Sequence, residues 1–129
     1  MRTRLRPAIL IGVVSTAAFA GSLLQDAPAK ADRRVNPYVG DDAAIRAGEK
    51  LYQRQCASCH GRAGEGMGTR PPLASGQVAG AAPGAIEWVI RTGSSRRGMP
   101  SFSHLPERQR WQIVTYLKQM SARAQPVDR

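Results

Sequence analysis

The sequence predicts an all-α fold: three main helices joined by long loops. Apolar residues recur at helical spacing in three separate segments, and no stretch alternates apolar with polar residues as a half-buried strand does. Between those segments glycine and proline are dense enough to forbid long regular elements. No internal repeat interrupts the pattern.

The first thirty residues differ from the rest. Arg2, Arg4 and Arg6 give a basic start, an apolar run covers 8–20, and small residues then offer two cleavage patterns, Ala18-Phe19-Ala20 and Ala29-Lys30-Ala31. That is the layout of a secretory signal peptide, read here as residues 1–31. Two other readings stand beside it. Residues 7–24 number 18, the low edge of a membrane span, so the leader could stay uncleaved as an anchor. A helix buried in the mature domain is the third. The Arg-Thr-Arg start is not a twin-arginine signal.

The chain of 129 residues carries 19 Lys+Arg and 9 Asp+Glu, a net charge of +10. Cleavage after Ala31 would leave 15 basic and 8 acidic residues, a net +7. Such a charge favours acidic partner surfaces and salt-sensitive encounter. It does not point to nucleic acid, because no basic run exceeds two residues and no aromatic platform accompanies one. The remaining chain is short and poor in aromatics, with a thin core that a large apolar cofactor would thicken.

Residues 32–41 are polar, with Pro37 and Gly40, and read as an extended, partly disordered lead-in. The domain proper spans 42–123, followed by a tail, 124–129. Its first helix begins at Asp41 or Asp42, whose carboxylates can cap it, and ends around the cysteines. Ala44, Ile45, Gly48, Leu51 and Tyr52 form its apolar face. Residues 61–84 are loop. The second helix fits 85–91, with Ile86, Val89 and Ile90 apolar and Thr92-Gly93 stopping it. After a further loop over 94–105, the third helix runs from Pro106 to about Arg123, burying Trp111, Val114, Leu117 and Met120. Leu105 is a poor cap for it.

The chain has 2 cysteines, and they stand three positions apart with a histidine directly after: Cys56-Ala57-Ser58-Cys59-His60. Cys-x-x-Cys-His is the attachment signature of a covalently bound haem. The two thiols add across the haem vinyl groups and the adjacent imidazole lies beneath the iron as proximal ligand. Three alternatives exist: a structural disulfide, a thioredoxin-like dithiol and half a zinc site. A zinc site lacks its second pair of ligands, since only His104 remains. A thioredoxin-like motif needs a strand before it and a helix after it, whereas here a helix precedes and glycine-rich loop follows.

Beyond the cysteines, residues 43–120 resemble the small class I cytochrome c family. The resemblance rests on motifs in order: Gly48-Glu49-Lys50-Leu51-Tyr52, then Cys56-x-x-Cys59-His60-Gly61, Pro71-Pro72-Leu73, Gly98-Met99-Pro100, and Trp111-Gln112-Ile113-Val114-Thr115-Tyr116-Leu117. It implies a cytochrome c fold wrapped around one haem c held through Cys56 and Cys59. It implies Met99 as sixth iron ligand opposite His60, ahead of Met67, Met120 and His104. It implies Pro71 as the carbonyl that accepts a hydrogen bond from His60, and Gly48 and Tyr116 as the crossing of the first and last helices. Trp88, Arg91, Arg96 and Arg97 are candidates to reach the haem propionates.

The function so implied is that of an exported, periplasmic single-electron carrier and not an enzyme. A six-coordinate haem leaves no site for a small-molecule substrate, and Glu65, Glu87 and Glu107 look isolated in the sequence. The partners implied are redox proteins with acidic docking surfaces, met by Arg62, Arg70, Arg96 and Arg97 around the haem edge; a membrane enters only if the leader is retained. The alternatives are a cytochrome subunit bound permanently in a respiratory or dehydrogenase complex, and a five-coordinate haem enzyme or gas sensor.

Overall fold

The computed structural model describes residues 23–127. The leader up to residue 22, with its Ala18-Phe19-Ala20 pattern, and the last two residues of the tail lie outside the described residues. Among the described residues six α-helices occur in order: α1 (Ala29–Asp32), α2 (Asp42–Gln55), α3 (Ala57–His60), α4 (Gly76–Gly80), α5 (Pro83–Thr92) and α6 (Glu107–Arg123). Short 3-10 turns cover Leu23–Asp26 and Ser95–Arg97. Among the described residues there is no strand, only two isolated bridges, Met67 with Arg70 and Ser94 with Met99. The fold is all-α, as the sequence predicts.

The three predicted helices are α2, α5 and α6. The Asp41 carboxylate accepts the backbone N–H of Ala44 at 3.0 Å, which is the N-cap bond that opens α2. Pro83 occupies the first turn of α5, and Gly93 stops it at φ +64°. Pro106 takes the cap position of α6 with no side-chain bond to offer, and Leu105 before it is buried in the core. Leu51, Tyr52, Ile86, Ile90, Trp111, Ile113, Val114 and Leu117 form that core.

Helices α2 and α6 cross at Gly48. A Cβ there would lie 2.0 Å from the carbonyl oxygen of Gln112 and 2.9 Å from the Cβ of Tyr116. Only a residue without a side chain lets two backbones approach so near. The Tyr52 and Tyr116 rings lie against each other at the crossing, centroids 5.4 Å apart and tilted by 55°.

Residues 32–41 are not the free lead-in that their composition suggests. Asn36 is buried, and its amide donates to Thr115 Oγ1 on α6 at 3.0 Å. Tyr38 packs on the core cluster. Arg34 donates to Glu87 at 2.7 Å and to Glu107, and its guanidinium lies over the Trp111 ring, 5.2 Å from the centroid. These partners are 53 to 79 residues away in sequence, so no local pattern reports them.

Glu87 and Glu107 are not isolated either. Glu87 is fully buried and accepts from Arg34 and from Arg110, each at 2.7 Å, with Arg91 at 3.8 Å. Glu107 also accepts the Trp111 indole N–H at 3.2 Å; that bond, with Arg34, holds its carboxyl below the usual carboxylate range. A second tie joins α4 to α6. The Lys118 ammonium donates to the carbonyls of Val78, Ala79 and Ala81, meeting the helix end where carbonyls lack partners. Burial lowers the pKa of Lys118.

Candidate haem-binding site

The attachment motif is one helical turn. The N–H groups of Cys59 and His60 both donate to the carbonyl of Cys56, at 3.1 and 2.9 Å. Residues three and four apart share a face of a helix, so Cys56, Cys59 and His60 present on one side. Gly61 then breaks the turn at φ +85°, where a Cβ would meet the Glu65 carboxylate at 2.2 Å. Three side chains pin this turn from outside, in a role the sequence did not assign to them. Tyr52 Oη donates to the carbonyl of Gly61 at 2.6 Å, Gln53 Nε2 to that of Arg62 at 2.9 Å, and Glu65 accepts from the N–H of Ala63 at 2.9 Å. Of these only Tyr52 left a sequence signal, as a member of the α2 apolar stripe.

The two cysteines are not joined to each other in a disulfide. Burial, with a contribution from the neighbouring Cys59, pushes the Cys56 thiol up to about 12. No cluster of three or more His, Cys, Asp or Glu that could hold a metal ion exists among the described residues.

His60 Nδ1 lies 2.8 Å from the carbonyl oxygen of Pro71. A carbonyl only accepts, so Nδ1 carries the proton and Nε2 keeps its lone pair. Pro71 is brought there by a loop folded on itself. The N–H of Gly66 donates to the His60 carbonyl at 2.7 Å, and the N–H groups of Leu73 and Ala74 both donate to the Gly64 carbonyl. Gly64 needs its φ of +71° for this, and a Cβ on it would meet the Met120 methyl at 2.6 Å.

Met99 sits in a separate, tightly closed loop. Ser94 and Met99 exchange two backbone hydrogen bonds, at 2.8 and 3.0 Å, across the Ser95–Arg97 turn, and Gly98 closes it at φ +74°. The loop is stitched to α5 by Ser101 Oγ, which donates to the Arg91 carbonyl at 2.6 Å, and by the Phe102 N–H on the Ile90 carbonyl at 3.0 Å. Met99 and Arg96 help line an open depression of about 600 Å³ running from Thr92 to Ser101.

The rival ligands are placed otherwise. Met67 is exposed on its own turn, Met120 packs with the core against Gly64, and His104 lies exposed beside the Phe102 ring. Arg62, Arg70, Arg96 and Arg97 are all exposed. Trp88 and Arg91 are half-buried on α5, and Arg91 already has Glu87 within ion-pair distance.

A thiol pair on one face of a turn, with the adjacent imidazole oriented through Nδ1 and its Nε2 left as donor, is the donor set of a covalently attached haem. The family model described as cytochrome c oxidase, cbb3-type, subunit III matches residues 43–117 of this chain, from the start of α2 to the last turns of α6. The match covers the crossing at Gly48, the cysteine turn, Pro71 and the Met99 loop. The chain belongs to this family of c-type cytochrome domains.

Proposed function

We propose that this chain is a periplasmic monohaem carrier of single electrons. Cys56 and Cys59 would hold the haem, His60 and Met99 would bind its iron, and Pro71 orients His60. The observation that carries this reading is the His60–Pro71 hydrogen bond next to a same-face cysteine pair. It prepares one imidazole nitrogen, and only one, for iron.

The haem would supply a centre that takes up and releases one electron. The protein's part is to hold it still. Nδ1 donation to Pro71 fixes the imidazole plane and makes Nε2 a stronger donor. A thioether supplied by Met99 would favour reduced iron and raise the potential. With His60 and Met99 both holding the iron, the group would have no position left for a substrate and would serve to pass single electrons.

Replacing Met99 with alanine tests the ligand set. The oxidised protein should lose its weak far-red sulfur-to-iron band, and the reduced protein should bind carbon monoxide. Persistence of that band in Met99→Ala would hand the ligand role to Met67 or Met120.

The exposed arginines near these loops suit a brief, largely electrostatic docking with a redox protein of acidic surface. Changing Arg96 and Arg97 to glutamate should slow reduction by that partner by about tenfold or more at low salt and flatten its salt dependence. Equal rates for parent and variant at low salt would remove these two residues from the docking surface.

A second reading has one observation behind it: the family is named for an oxidase subunit. A permanently bound subunit would elute from native extract with its complex, and a carrier at the size of one small domain. No helix among the described residues is long and apolar enough to cross a membrane.

A further inference from the structure

We infer that export processing uses Ala18-Phe19-Ala20 and leaves Ala29-Lys30-Ala31 intact, so that residues 23–36 are a working part of the domain. The inference rests on the exported reading above and goes beyond it, because both cleavage patterns satisfy the small-residue rule equally well in the sequence.

The structure does not treat the two patterns alike. Ala31 lies inside α1, with 4% of its surface exposed, and its carbonyl accepts the N–H of Arg34 at 3.0 Å. That carbonyl is pressed onto α5 at Gly84. A Cβ on Gly84 would stand 1.8 Å from the Ala31 oxygen, with the Arg34 Cβ next at 3.1 Å. Glycine is a poor helix former, and here it stands in the first turn of α5, buried. Its use there is explained by the close approach of the Ala31 backbone, since the next neighbour, Arg34, presents only a side chain.

The contact does not stop at Ala31. Leu24 packs on the core cluster, and Leu24, Gln25 and Asp32 share a groove with Gln77, Ala82 and Ala85. Cleavage after Ala31 would strip this cover from α4 and α5. It would also put a new ammonium on Asp32 where a carbonyl now faces α5. That position is beside the positive end of the helix dipole, where a cation is unfavourable.

The test is the intact mass of the haem-containing protein isolated from the exported fraction. The mass should correspond to a chain beginning at Gly21 plus one haem. A chain beginning at Asp32 overturns the inference and leaves the carrier reading standing. A haem-containing chain beginning at Met1 also overturns it, in favour of a retained anchor. Absence of haem from exported protein would instead break the carrier reading. In the same strain Ala20→Leu should accumulate precursor, whereas Ala29→Gln, at an exposed position, should leave processing unchanged; the reverse pattern overturns the inference. Gly84→Ala gives a check that does not depend on processing variants. With residues 23–36 present, the native protein should melt about 5 °C lower or more. If the chain began at Asp32, alanine would meet no carbonyl and should raise the melting point as the better helix former.

Discussion

Gly48→Ala should cost this domain about 3 kcal/mol or more, the upper end for overpacking, because the added methyl meets backbone and not a movable side chain. The Cβ would stand 2.0 Å from the Gln112 carbonyl oxygen and 2.7 Å from its carbon. Relief requires α2 and α6 to separate, and that separation would also pull Tyr52 from Tyr116 and loosen the Tyr52 hydroxyl from the Gly61 carbonyl behind the cysteine turn. For a domain whose total stability is of order 5–15 kcal/mol, such a loss is large. The measurement is the thermal midpoint of the haem-loaded protein together with its haem yield; both should fall. A midpoint within about 2 °C of the parent would mean that the helices pass farther apart than described.

Glu87→Ala should be of similar size, by a different route. The carboxylate is wholly buried, and the side chain of its partner Arg110 is only 9% exposed. Removing the acid leaves a buried guanidinium with one remaining acceptor, the Leu105 carbonyl. Breaking a buried pair from one side costs about 3–5 kcal/mol, mostly as the penalty of the stranded charge. The prediction is therefore also one of non-additivity. In an Arg110→Met background the same Glu87→Ala change should cost far less, since the stranded charge is gone. Denaturant melts of the four proteins of this cycle check it, and equal costs in both backgrounds would show that the pair is not coupled.

What the sequence could and could not show divides along the same physical line. Helices α2, α5 and α6 were legible because each carries its own period, its own start signal and its own stop. Asp41 caps α2, Gly93 stops α5, and the stripe from Trp111 to Leu117 repeats; the start of α5 at Pro83 lies two residues before the predicted 85, because Pro83 and Gly84 read as loop. The pairing of His60 with Pro71 was legible only through resemblance, because a loop proline has no local signature of what its carbonyl will accept. The Arg34–Glu87–Arg110 group was not legible at all. Its members come from the N-terminal segment, α5 and α6, and charge spacing along one helix says nothing about partners on another. The same holds for Lys118, whose ammonium on α6 caps the end of α4. The short helices α1 and α4 fall below the length at which periodicity can be seen.

The closed ring from Ser94 to Met99 has a further consequence. Two backbone bonds over six residues leave this segment little freedom of its own, and Ser101 and Phe102 tether it to α5. In the haem complex proposed above, a Met99 thioether carried on so short a leash would not diffuse away once released from iron; it would remain at high effective concentration nearby. Rupture by light or by a competing ligand should therefore be followed by fast recapture. Lengthening the ring with two inserted glycines should slow that recapture before it changes the resting spectrum.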